Sequence, residues 1–420
     1  MKSLDLRKKY PKFIFEKYDW NIEDGQLVVR YYYQTPPDHN FIHTLIFKNL
    51  PLDNIKNLSA LLFQIGLSEM PSYWKATASP TIEVQCGHLN LEQTQFWHKL
   101  FIRGMGQYFY ENQIDFTAPD FLTINSFGQP TTINDHRMTI NDHVLVPIGG
   151  GKDSLVTLEL LKKNFPVTPF IINPIPSVLQ LCQIASTPPP ITGNRTIDPY
   201  LRKLTQQGYL NGHVPLNAVI AFISVFVAAA SQNKYVAISN ERSSNEVNTT
   251  YLNTDINHQY SKTLEFETDL NTYLSPLTSV KYFSFLRPLY EIQITKIFSH
   301  YPQYFNNFTS CNKNFKIDSQ QHPKGSLWCK NCPKCVSLAL LLIPWIGKAK
   351  VTQIMGGYPP DMPGNQEILK ELRGEKPVKP FECVLTRAEA LGTVDLNSWQ
   401  DNPNMPPEFT NILRQAYDHS

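Results

Sequence analysis

Aromatic and β-branched runs open the chain. FIFEKYDW, QLVVRYYYQ and FIHTLIF are separated by Asp24-Gly25 and by PPDHN, so the pattern predicts hairpins between Phe13 and about Phe47. Asn57–Leu67 and Leu91–Tyr110 carry helical periodicity, which makes residues 1–135 an N-terminal α+β domain. Tyr31-Tyr32-Tyr33 reads as alternating burial in a sheet, with a stacking surface for bases as the rival reading. Past Asp142 strands and helices alternate. HVLVPI is a strand, GGG a turn, and KDSLVTLELLKKN a helix with Leu155, Leu158 and Leu161 on adjacent turns. VTPFIINP is the next strand, and LNAVIAFISVFVAAASQN is a helix feeding the strand YVAIS. This alternation predicts an α/β domain over residues 136–300, a parallel sheet with crossover helices on both faces. Ligands of such a sheet gather beyond the carboxyl ends of its strands, here at GGGKDS, NPIPS and NERSSNE. Residues 301–420 turn Cys-, Pro- and Trp-rich, with a helix near Val336–Ile343, and form a smaller C-terminal region.

At 420 residues and 42% hydrophobic, the chain can bury a sizeable core and accommodate about two to three domains. Lys+Arg 38 against Asp+Glu 36 leaves a net charge of +2, so no basic field marks a nucleic-acid partner. The start MKSLDLRKKYPKF has no apolar stretch behind it, and Val219–Ala230 and Val336–Ile346 are shorter than the ~20 residues that span a bilayer. A cytoplasmic protein without a membrane segment is therefore expected. Seven cysteines in a long chain without a signal argue against a disulfide framework and for metal or thiol chemistry.

A glycine triplet between strand and helix turns tightly and exposes backbone N–H groups at the positive end of the helix dipole, which suits phosphate. The Walker pattern fails, because Val146 takes its first glycine position and Asp153 follows Lys152. The dinucleotide fingerprint fails at Ser154. What remains, Gly149-Gly150-Gly151-Lys152-Asp153-Ser154, resembles the SGGxDS loop of the PP-loop (HUP-like) ATP pyrophosphatase superfamily. The alternative is a plain glycine turn with Asp153 or Ser154 as helix N-cap. The resemblance implies that Gly149, Gly150, Gly151 and Ser154 hold pyrophosphate and that Asp153 helps to hold Mg2+. Gly149 stands where the superfamily usually has Ser, so the backbone and Lys152 must carry more of the phosphate contact.

Further strings lie in one order: MPSYWKATASPTIEV, LNGHVPLNAVIAF, ISNERSSNEVN, NHQYSKTLEFE, FSFLRPLYE, FTSCNKNF, WCKNCPKC and KPFECV. Together they resemble the ATP-dependent UDP-N-acetyl-α-D-muramoyl-L-alanyl-L-glutamate epimerases, the MurL family. The resemblance implies inversion of the terminal L-glutamate of a UDP-N-acetylmuramoyl dipeptide, in peptidoglycan precursor synthesis, with ATP cleaved to AMP and pyrophosphate. An ionised carboxylate resists loss of the neighbouring α-proton, because a second negative charge would build beside the first; adenylation removes that obstacle and lets a base and an acid act on opposite faces.

The loop Asn240–Glu246 sits at a strand end, where Glu241 is a candidate Mg2+ ligand or base and Arg242 a candidate partner for a carboxylate or phosphate. A solvated loop of mutually paired charges is the plainer reading. His258 and Lys262 in NHQYSK are candidates for the site by the same resemblance, and His213 is a weaker one. Cys311, Cys329, Cys332 and Cys335 have the spacing of a structural Zn2+ site, against a redox pair or free buried thiols. Cys383 reads as a small buried hydrophobe, with a racemase-type thiol as the rival. A PP-loop enzyme of nucleoside or tRNA modification, 7-cyano-7-deazaguanine synthase-like or thiolating, is the alternative function, and a non-catalytic nucleotide sensor a third. The sequence leaves the oligomeric state open.

Overall fold

The computed structural model describes residues 3–53, 55–129, 141–315 and 326–420. The expected boundary between residues 135 and 136 lies outside the described residues.

Strands β1 (Lys12–Glu23), β2 (Gln26–Thr35) and β3 (His39–Lys48) form the hairpins that the sequence predicts. Asp24 and Gly25 have φ of +48° and +72°, the left-handed pair that a tight right-twisted hairpin requires. Tyr31 and Tyr33 are buried, and their hydroxyls donate to the carbonyls of Leu62 and Gly66 at 3.0 and 2.7 Å. Tyr31 and Tyr33 are thus sheet packing, in the alternation that the sequence predicts, while Tyr32 is half-buried on the opposite face with the Lys17 ammonium 4.6 Å from its ring centre.

Then come β4 (Thr81–Val84), β5 (Thr123–Ser126), β6 (Asn141–Pro147), β7 (Val167–Ile172), β8 (Ile191–Thr196), β9 (Asn233–Ile238), the small hairpin β10 (Thr249–Tyr251) and β11 (Thr254–Ile256), and β12 (Lys281–Ser284). All but the small hairpin join one ten-stranded sheet in the order β12-β9-β6-β7-β8-β3-β2-β1-β4-β5. From β12 to β8 every pairing is parallel, β8-β3-β2-β1 is antiparallel, and β4 and β5 are again parallel. Along the parallel half the chain runs outward from β6 through β7 to β8, then returns to lay β9 and β12 on the other side of β6. The direction of winding reverses between β6 and β9, and such a reversal opens a crevice at the strands' carboxyl ends.

Both faces of this half are covered. Leu145 and Val236 pack on the side of the helix Leu216–Ala230, whereas Val144, Val146 and Ala237 pack on the side of the helices Lys152–Leu161, Glu291–Phe298 and Pro407–Asp418. The helix expected over Asn57–Leu67 is Ser59–Trp74, running through Pro71 with nearly every residue buried. Its Glu69 accepts from Arg195 of β8 at 2.6 Å through both oxygens and lies 3.2 Å from His43 of β3, all in the interior. Burial opposes the charge of Glu69, but Arg195 and then His43 outweigh it and hold the carboxyl far below its usual range.

The helix expected near Val336–Ile343 opens the segment Pro333–Met355, which passes Pro344 and is two helices joined across a kink at Gly347 (φ +74°). By length and composition alone its 23 residues could cross a bilayer, yet Cys335, Val336, Leu338, Ala339, Leu341 and Leu342 are all buried in the core.

Candidate functional site

The glycine turn follows β6 at the crevice. Gly150 has φ +89°, which an L side chain rarely adopts, and a Cβ on Gly151 would meet Ser310 Oγ at 2.8 Å. Gly149 meets nothing within 4 Å, so its lack of a side chain is a matter of chemistry and not of space. Gly151 is the N-cap of the helix Lys152–Leu161 and supplies no side chain; neither Asp153 nor Ser154 takes that position. Ser154 Oγ donates back to the Gly151 carbonyl at 3.1 Å. The helices Leu216–Ala230 and Pro333–Met355 also begin without side-chain caps, and their second residues, Asn217 and Lys334, line the same cavity. A cavity of about 380 Å³ therefore faces the unsatisfied N–H ends of several helices, which together favour a multiply charged anion. Its apolar side is Ile148, Phe170, Ile172, Ile220 and Ile238, a surface fit for a flat ring.

Thr309–Asn312 closes the cavity from far along the chain. The Thr309 N–H donates to the Gly150 carbonyl at 3.0 Å, so the turn and its roof are bonded directly.

Of the sequence candidates, Gly149, Gly151, Asp153, Ser154 and Lys262 line this cavity. Lys152 is buried and turned away: its ammonium donates to Asp153 Oδ1 at 2.6 Å and lies 3.5 Å from Glu291. Burial opposes its charge, but Asp153, Glu291 and Glu241 more than compensate and raise its pKa. Burial first, and then Asp153 and Glu241, push the Glu291 carboxyl well above its ordinary range against the pull of Lys152.

Glu241 is buried just past β9, with Lys262 at 3.9 Å and no hydrogen bond to Oε1 among the described residues. Arg287, wholly buried, donates to the Glu241 and Lys262 carbonyls and fixes both loops. Arg242 is taken up elsewhere, donating to Ser398 Oγ at 2.7 Å and lying 4.3 Å from the Tyr290 ring centre. His258 is hydrogen-bonded to Gln107, its ring 4.1 Å from that of His213. Burial, then His213 and nearby lysines, hold His258 neutral. Sequence reasoning assigned nothing to Lys334, Glu291, Ser310 or Asn217. Lys334 and Ser310 lie inside the strings WCKNCPKC and FTSCNKNF, whose local signal is that of their cysteines.

The ligand atoms of Cys311, Cys329, Cys332 and Cys335 lie within 4.8 Å of one another, and Cys335 Sγ is 3.5 Å from Cys332 and 3.9 Å from Cys329. Bonds of ~2.3 Å to one tetrahedral Zn2+ would set sulfurs about 3.8 Å apart, so these separations fit the ion.

A mixed α/β protein whose large sheet carries a glycine-turn cleft at its switch point, roofed by a cysteine-clustered C-terminal segment, is the class that this geometry defines. Within it, the chain belongs to the MurL family: residues 5–285 match the MurL N-terminal domain and residues 307–415 the MurL C-terminal domain. It is 30% identical to proteins of Salinispora tropica and a Micromonospora species, in each case over 94% of this chain and 88% and 90% of theirs. A Xanthomonas oryzae pv. oryzae protein is 30% identical over 74% of this chain and 69% of its own. All three bear the name UDP-N-acetyl-alpha-D-muramoyl-L-alanyl-L-glutamate epimerase. No solved structure matches the chain.

Proposed function

We propose that the protein is an ATP-dependent epimerase that inverts the terminal L-glutamate of UDP-N-acetylmuramoyl-L-alanyl-L-glutamate during peptidoglycan precursor synthesis in the cytoplasm. The observation that carries this reading is the glycine turn at the sheet's switch point, in a chain 30% identical over 94% of its length to proteins named for that reaction. ATP supplies the adenylyl group that neutralises the substrate carboxylate and acidifies the α-carbon.

The chain's own part is binding, orientation and proton movement. N–H groups of the turn and the Ser154 hydroxyl bind phosphate oxygens at the helix start. Asp153 offers the hard oxygen that Mg2+ prefers, and Lys152 holds its carboxylate in place. Lys262, which lines the cavity, is the group placed to exchange a proton with a reactant, with Glu241 buried 3.9 Å behind it as its partner. His258 and Arg242 support neighbouring loops. The four clustered thiols hold a structural Zn2+ that fixes the roof.

The test is incubation with ATP, Mg2+ and the UDP-muramoyl dipeptide in heavy water. AMP release and deuterium at the glutamyl α-carbon must appear together. AMP release on tRNA or a deazapurine acid, without response to the dipeptide, overturns the reading in favour of nucleoside modification.

A further inference from the structure

Asp153, Lys262, Ser310 and Lys334 line the main cavity and also a second, smaller chamber of about 60 Å³, whose remaining walls are Lys152, Glu291, Ser337, Leu338, Cys383 and Val384. A water needs roughly 10–15 Å³ of such space, so the chamber admits a group of about five heavy atoms and excludes a base or a sugar. Its charges are unevenly matched. Lys152 is spent on Asp153 and Glu291 at 2.6 and 3.5 Å. Lys262 finds a carboxylate only at 3.9 Å, in Glu241. The Lys334 ammonium has no hydrogen-bond or ion-pair partner among the described residues, although the side chain is half-buried; only the backbone carbonyl is engaged, accepting from Ser337 Oγ at 3.2 Å. It also rides on the first turn of Pro333–Met355, whose N–H groups lack a side-chain cap, between Cys332 and Cys335 of the thiol cluster. Lys334 thus shares a rim with Lys262 without an ion-pair partner of its own among the described residues, and the carboxylate that Lys262 has, Glu241, stands at the long distance of 3.9 Å. Cationic groups held this way are arranged for a ligand of opposite charge.

We propose that the chamber is an oxyanion subsite beside the nucleotide cavity, in which Lys334, with Lys262 at the rim, receives one anionic group of the reactants. The shared chemistry is that of a single oxyanion: either the phosphate end of the nucleotide or a carboxylate of the glutamyl substrate. This rests on the proposed function, since both sources belong to that reaction.

The test is titration calorimetry of the full-length chain with Mg2+-pyrophosphate and, separately, with the UDP-muramoyl dipeptide, for wild type and Lys334→Gln. The expected result is a loss of affinity of at least tenfold for one or both probes in a variant that melts like wild type, and the probe that suffers identifies the source. Both affinities within twofold of wild type overturn the subsite while leaving the epimerase reading intact. A wild-type chain that binds neither probe overturns both. Should Lys334→Gln fail to fold, acetylation of wild-type lysines mapped by mass spectrometry decides: either probe at saturation should protect Lys334 at least fivefold relative to exposed Lys348, and equal labelling with and without both probes overturns the subsite.

Discussion

Adjacent glycines in the turn have different reasons to be glycine, and substitution separates them. Gly150→Ala forces a side chain into a left-handed conformation costing ~1–2 kcal/mol, and should weaken ATP binding at least several-fold by calorimetry. Gly149→Ser meets open space and should bind within about threefold of wild type or better, since the hydroxyl adds a donor at the phosphate site. Asp153→Ala should lower AMP release by about two orders of magnitude or more at unchanged melting temperature, because it removes an oxygen ligand without emptying the core. A folded variant that still forms AMP normally would remove the turn from the chemistry. His213 adds a pH signature. Burial first, and then Lys75, push it down to about 4, whereas the unfolded chain titrates near ~6.5. Between those values the unfolded chain binds a proton that the folded chain refuses, so this contribution is complete above about pH 6.5 and is lost as pH falls towards 4. His213→Gln should therefore show a smaller drop in urea midpoint from pH 7 to pH 5 than wild type does.

Among the elements, those with strong local signals were legible: the Asp24-Gly25 hairpin, the strand before the glycine turn, and the apolar helix Leu216–Ala230. β8 was not, since ITGNRT is short and half polar, and its place in the sheet comes from partners distant in sequence. The same distance hid half of the cavity. Gly149–Ser154 could be read as an anion turn from its own residues, but nothing local to Thr309, Glu291 or Lys334 says that folding brings them to it. The buried link between the helix Ser59–Trp74 and β8 is another product of tertiary structure. Glu69→Ala leaves the Arg195 guanidinium buried and unpaired, and should destabilise the protein by ~3–5 kcal/mol in urea unfolding. For the thiol cluster, metal analysis should find one zinc per chain, and Cys332→Ser should lose it and melt at lower temperature.

Across the whole molecule, the sheet is continuous through the β8-β3 pairing, which ties the antiparallel strands to the parallel half. A fragment beginning at residue 141 would expose β8 as an edge and uncover the helix Leu216–Ala230, which packs on Ser59–Trp74. The roof has a different consequence. Thr309 donates to Gly150, and Ser310 and Lys334 complete a cavity whose floor is the turn, so the site lies across the junction of the two matched family segments. Neither segment carries the whole cavity by itself. A gene split near residue 300 would restore function only if both products were made together and reassembled, and descent should keep the two parts as a single inherited unit.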